Sequence, residues 1–230
     1  MPELWIYGDK HTRNHDVVTE EIKNYLPEDV EIIFYEGGLK TEPSVGRWVH
    51  LLNPMYVLLK FLIVPMMLLQ QWRRGSTGEA AGVVGANNVA SIFDTPVRAT
   101  DLHHRDKILK QGPISFISIW SLLLFSVLIA LNETISGALF LLVIGSLTHR
   151  LYFSAFIDPV RERKMVDDIT EEIIENKTSK VALVTGSAHV RWIEKLAKNR
   201  GFEVHTERRD DSRLRIFLRS LASVPYGRYH

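Results

Sequence analysis

Two glycines that close apolar runs are each followed, three residues later, by a histidine: Gly8-Asp9-Lys10-His11 near the start of the chain and Gly186-Ser187-Ala188-His189 near its end. A third chemistry-bearing group, Glu36, closes another apolar run just before Gly37-Gly38. Neutral imidazoles and a carboxylate are residue types that bind a divalent cation, or that take and return protons as general bases and acids. Either use requires the three to meet. Adjacent parallel strands would deliver both histidines to one sheet edge, with Glu36 on a strand end that faces them.

The surrounding sequence supplies such strands. Val181 to Thr185 and Leu4 to Tyr7 are apolar, and the first lacks alternation, as in a strand covered on both faces. Gly186 offers a turn conformation that other residues resist, and Ser187 can cap the helix that follows, leaving backbone N–H groups at the sheet edge. Asn14 to Leu26 places Val17, Val18, Ile22 and Leu26 on a helical stripe, and Val30 to Tyr35 reads as a buried strand. Glu79 to Val84 predicts a short helix of small residues, Val89 to Phe93 a third strand ending in Asp94, and Thr100 to Lys110 a charged helix. The adjacent His103 and His104 diverge by about 100 degrees on such a helix, which suits a solvated surface better than a metal site. A helix from Asp158 to Asn176 carries Met165, Ile169 and Ile173 inward, with Arg161, Glu162 and Arg163 in its first turn. A helix after His189 stops at Gly201, and Phe202 to Thr206 is a final strand. This alternation predicts an α/β fold, a mainly parallel sheet flanked by helices.

An uncharged run, Ile114 to Leu131, is followed by the polar break Asn132-Glu133-Thr134 and a second apolar run, Ile135 to Leu147, extended by Leu151 to Ile157. A spanning helix takes about 20 apolar residues, so the pair predicts an inserted transmembrane helical hairpin. Lys107, Lys110, Arg161, Arg163 and Lys164 flank its open ends and only Glu133 sits in the loop, which places both ends, and the α/β domain, on the cytoplasmic side. Three segments result: 1–112, the first part of the α/β domain; 113–157, the hairpin; and 158–230, the rest of the domain with a basic amphipathic helix from Arg213 to Val224. Val49 to Trp72 is apolar but holds Lys60, Pro54 and Pro65, so it reads as an amphipathic helix docked on the domain or lying at a membrane surface.

A net charge of +1 and the lack of a recognition signature argue against nucleic-acid binding. With 0 Cys there is neither a disulfide framework nor a thiolate metal site. No nucleotide cofactor is expected. The start of the chain lacks the basic flank and apolar stretch of a signal peptide.

The order of Gly8-Asp9-Lys10-His11, Phe34-Tyr35-Glu36, Gly78-Glu79-Ala80-Ala81 before Ser91-Ile92-Phe93-Asp94, Arg161-Glu162-Arg163-Lys164-Met165 and Gly186-Ser187-Ala188-His189 resembles the TraB, PrgY and Tiki family, within the larger erythromycin esterase and ChaN-like group. The resemblance covers nearly all of the soluble sequence. It departs from the family where Thr95, rather than an arginine, follows Asp94, and in carrying the hairpin inside the domain. It implies an active centre of His11, Glu36, Arg163 and His189, with Gly8, Glu79, Asp94, Gly186 and Ser187 lining the substrate. Tiki-like chemistry implies a metal-dependent peptidase in which His11, Glu36 and His189 hold Mn, Co or Zn, the cation activates water, and an arginine holds a carboxylate or an oxyanion. Likeness to erythromycin esterases implies instead a histidine general base whose tautomer Glu36 fixes. PrgY implies a third role, a membrane protein that sequesters a peptide signal without cleaving it. The implied partners are a peptide or small-molecule substrate, membrane lipid and, in a homo-oligomer, further copies of the chain.

Overall fold

The computed structural model describes residues 1–9, 13–37, 41–54, 65, 68–69, 72, 79–132, 135–152, 156–207 and 217. Five strands pair as one parallel sheet, the three central ones apolar and the two edge strands more polar: β1 (Glu3–Asp9), β2 (Ile32–Glu36), β3 (Val97–Thr100), β4 (Lys180–Gly186) and β5 (Glu203–Glu207), in the order β3-β2-β4-β1-β5. Parallel pairing requires crossovers, and helices provide them: α1 (His15–Tyr25), α2 (Ala81–Phe93) and, between β4 and β5, a helix at Ser187–Lys198. Asn14 caps α1 by accepting from the N–H groups of Asp16 and Val17, at 2.9 and 3.3 Å.

Strand parity divides the core into two layers. Leu4, Ile6, Ile32, Phe34, Val181 and Leu183 face Met165, Val166, Ile169, Val190 and Ile193. Tyr7, Ile33, Tyr35, Ala182 and Val184 face Val18, Ile22, Ala81, Ala86 and Val89. Both faces of the central strands are thus covered, which explains their unrelieved apolar sequence.

The third strand differs from its expected place. Val89 to Phe93 belongs to α2, whose buried stripe of Ala81, Gly82, Gly85, Ala86, Val89 and Ala90 has helical spacing. Asp94 ends that helix in the left-handed region (φ 53°), and the strand follows Pro96. Because β3 runs parallel to β2, with Glu36 opposite Thr100, Asp94 precedes it at the edge remote from Glu36. The small residues of α2 have a packing reason. A Cβ on Gly85 would come within 2.8 Å of Ile22 Cδ1 and 3.2 Å of Val18 Cγ1. Gly85→Leu is therefore expected to destabilise the fold by about 1–3 kcal/mol through overpacking, read as a lower thermal midpoint, whereas a change at exposed Ser91 should do nothing comparable.

The chain divides into two compact units. One comprises Met1–Thr41, Pro65–Leu102 and Val160–Ser212 and contains the sheet; the other comprises Glu42–Val64, His103–Pro159 and Arg213–His230. The second unit holds a 3-10 helix (Arg47–Leu52), α3 (His104–Leu109), α4 (Gly112–Asn132) and α5 (Ile135–Tyr152). In it α4 and α5 pack on each other, closely enough that a Cβ on Gly145 would overlap the Leu122 side chain. Ser115–Asn132 is long and apolar enough to cross a membrane, with mean hydropathy 2.0 and 17% of it buried. Two further helices, α6 (Asp158–Asn176) and α7 (Ser187–Lys198), match the expected positions. Most of Val49 to Trp72, and the helix expected over Arg213 to Val224 apart from Phe217, lie outside the described residues.

Candidate functional site

β2 and β4 are neighbours whose onward connections leave in opposite directions, β2 toward β3 and β4 past β1 toward β5. That divergence opens a crevice at the carboxyl ends of the two strands, the usual ligand position in an open α/β sheet. Glu36 ends β2 there, and Gly186 ends β4. By parity Glu36 and Thr185 point to the face covered by α6 and α7, while Asp9, at the end of β1, points to the face covered by α2. Asp9 accepts from the Gly82 N–H at 3.1 Å. Asp9, Glu36, Gly82, Val83, Val184 and Thr185 line a small recess over the strand ends.

Arg161 organises the charges. Its Nε donates to Asp101 Oδ1 at 3.0 Å, and its Nη2 donates to Asp101 Oδ2 at 2.8 Å and to Glu36 Oε1. This is the planar, two-pronged recognition that a guanidinium gives a carboxylate. Asp101 is 2% exposed and sits at φ 115°, a backbone state costly for a residue with a Cβ, and its own carboxylate accepts from the Leu102 N–H at 2.6 Å. The hydrogen bonds from Arg161 and from the Leu102 N–H offset the cost of that backbone state. Glu36 Oε2 accepts from the Thr185 hydroxyl at 2.9 Å and the Gly186 N–H at 2.8 Å, so this carboxylate also sits against the N-terminus of α7, where the helix dipole favours a negative charge.

His189 completes the cluster. Its Nδ1 lies 2.7 Å from Oε1 of Glu162, a carboxylate only 1% exposed. With Glu162 ionised, the Nδ1 proton is donated to it, and the Nε2 lone pair faces Arg161 Nη1 at 3.4 Å, long for a hydrogen bond. Five ionisable side chains from four connections thus meet in one buried place, with every carboxylate held by a donor. Beside it, Arg13 ties the end of β1 to α1: it donates to the Tyr7 hydroxyl at 3.3 Å and to both oxygens of Glu21 at 2.6 and 2.7 Å, and Glu21 raises the guanidinium's pKa above its ordinary value.

The residues expected from sequence fall into three groups. Glu36, Gly186 and His189 are in the cluster, with Gly8 buried on β1 opposite Thr185. His11 lies outside the described residues, although the strands that lead to the two G-x-x-H turns are neighbours in register, with Asp9 opposite Gly186. Arg163, Glu79 and Asp94 are elsewhere: Arg163 is on the exposed side of α6, Glu79 is exposed with its carbonyl facing the His15 ring, and Asp94 is at the far edge. Position 163 lies about 200° around the helix from 161, so both cannot face the sheet. Gly186 has φ −62°, an ordinary conformation, and Ser187 is the first helical residue rather than the cap, with no side-chain cap made.

The cluster members not expected from sequence are Asp101, Arg161, Glu162 and Thr185. Arg161 had a signal: stepping back four residues along the inner stripe of Ile169 and Met165 reaches it. Asp101 had one too, as the carboxylate directly after Val97–Thr100.

Glu36 Oε1 and His189 Nε2, two of the three donors expected for a divalent cation, are 3.9 Å apart, and Arg161 lies against both. A cation shared by them would have to displace a guanidinium that is itself fixed by Asp101. As placed, these two donors do not fit one. Comparison with protein-family models, with curated proteins and with solved structures finds no match to this chain.

Proposed function

We propose that this chain is a membrane-tethered hydrolase of the TraB, PrgY and Tiki type that uses His189 as a general base, with a peptide as the substrate class. The observation that carries the reading is the Glu162–His189 hydrogen bond set beside Arg161 at the β2/β4 crevice. A buried carboxylate on Nδ1 fixes the tautomer with its lone pair on Nε2, the arrangement that makes an imidazole a directed base. In the reaction, Nε2 takes a proton from water as its oxygen bonds to the carbonyl carbon. The carbonyl oxygen gains negative charge beside the Arg161 guanidinium, which supplies electrostatic stabilisation without reorganising. Collapse breaks the carbon–nitrogen bond, and the imidazolium returns the proton to the leaving amine. Asp101 and Glu36 act through Arg161 and are positioning residues.

In this reading α4 and α5 are the transmembrane hairpin and the sheet unit lies on the cytoplasmic side. Mean hydropathy of 2.0 over Ser115–Asn132, with Leu124, Phe125, Val127 and Leu131 exposed, supports burial in lipid, since so large an apolar surface is unusual in water. Full-length chain expressed in cells should stay in the membrane pellet after an alkaline carbonate wash; release into the supernatant would remove the membrane part. The catalytic part is tested by hydrolysis of a pooled peptide substrate by the reconstituted chain and by His189→Asn. Peptide retention without turnover in both would favour the sequestering role.

A further inference from the structure

We propose that the 3-10 helix Arg47–Leu52 is a membrane-interface anchor, its Trp48/Leu51 ridge seated at the boundary between lipid headgroups and acyl chains near the start of α4. The proposal rests on the reading of α4 as a membrane span and adds a second contact with the bilayer.

Residues three apart eclipse in a 3-10 helix, so six residues make three ridges. Val49 is buried with Leu52 half-buried on one, and His50 leads to buried Asn53 on the next. The third ridge is Trp48 and Leu51, 56% and 71% exposed. The inward ridges are fastened. Asn53 donates to Gln111, both buried, and the His50 ring stacks on His104 with centroids 5.3 Å apart. A rigid turn therefore holds an indole and a leucine outward, where water gives them nothing in return.

The depth is set by a separate contact. Trp120 Nε1 on α4 donates to the Leu51 carbonyl at 3.1 Å. Trp120 is five residues past Ser115, where the apolar segment begins, which is about 7.5 Å along the helix. Interfacial segments settle about 5–10 Å into the headgroup and acyl boundary, so the ridge is at the level expected of one. Two tryptophans at that level suit the region where an apolar ring and a polar N–H are both solvated. Arg47, exposed at the start of the turn, has the charge to meet lipid phosphate. Lipid is the occupant this combination fits.

The chain contains 0 Cys, so a single introduced thiol can carry a spin label without background. Leu51→Cys, Leu124→Cys in the exposed middle of α4 and Glu20→Cys on the exposed side of α1 would each be labelled. In phosphatidylcholine–phosphatidylglycerol vesicles, accessibility to oxygen and to a water-soluble nickel chelate reports depth. The expected order is Glu20→Cys in water, Leu51→Cys at the interface and Leu124→Cys deep, with Trp48→Cys matching Leu51→Cys because the two share a ridge. Water-like accessibility at Leu51→Cys, with Leu124→Cys deep, overturns the anchor and leaves the span intact. Water-like accessibility at both removes the span and the anchor together.

Discussion

Replacing Arg161 with methionine is expected to lower the thermal midpoint of the detergent-solubilised chain by on the order of 10 °C, whereas Arg163→Met should move it by no more than about 2 °C. The difference follows from what each arginine leaves behind. Without the Arg161 guanidinium, Asp101 and Glu36 keep their negative charges next to each other with their shared donor gone, and Asp101 is 2% exposed. Breaking a buried ion pair by removing one member costs about 3–5 kcal/mol, because the remaining charge is uncompensated. Arg163 is on the exposed side of the same helix, where side-chain changes are usually worth within about 0.5 kcal/mol. A double variant separates charge from packing: Asp101→Asn added to Arg161→Met removes one orphaned charge and should recover part of the loss. Equal effects of the two single arginine changes would show that the guanidinium in the centre is not Arg161.

That contrast also shows which parts of the site were legible in the sequence. Strand ends could be read, because Leu4–Tyr7, Ile32–Tyr35 and Val181–Thr185 are apolar on both parities and terminate at Gly or Glu; hence Glu36 and the turn leading to His189 stand where expected. Residues that depend on the rotation of a helix were harder. Met165 and Ile169 defined the inner face of α6 correctly, but the arginine suggested by family resemblance, Arg163, is off that face. Val89 to Phe93 looked like a strand ending in Asp94, separate from a short helix over Glu79 to Val84, and only the recurrence of Gly82, Gly85, Ala86, Val89 and Ala90 at helical spacing reveals one helix packed close to α1. The strand-ending aspartate was therefore sought seven residues too early, at Asp94 instead of Asp101. No local pattern announces a positive φ at Asp101. It is tolerated because the Arg161 guanidinium and the adjacent Leu102 N–H hold the carboxylate from two sides, and the first of these donors, 60 residues away, is a consequence of tertiary packing.

The largest effect on turnover is expected at His189. His189→Asn, which removes the base while keeping a polar side chain of similar reach, should lower peptide hydrolysis by about 10²–10⁴-fold, the range for loss of a positioned base. Glu162→Gln keeps the size of its partner and can still hydrogen-bond to Nδ1, but it cannot stabilise an imidazolium; it should lower kcat with KM nearly unchanged. The pH profile gives the sign of the requirement. A base acts only with its lone pair available, so kcat/KM should fall on the acid side as the ring takes up a proton, and His189→Asn should abolish that limb. Chelation separates the two chemistries that the resemblance implies. With Arg161 lying between Glu36 and His189, hydrolysis should survive exhaustive chelation and gain nothing from added Mn, Co or Zn. Loss on chelation with recovery by one of these ions would instead mean that the guanidinium leaves the gap and a cation takes its place. In that event Arg161→Lys, which lacks the planar fork and bonds Asp101 less firmly, should bind the cation more tightly than the natural chain.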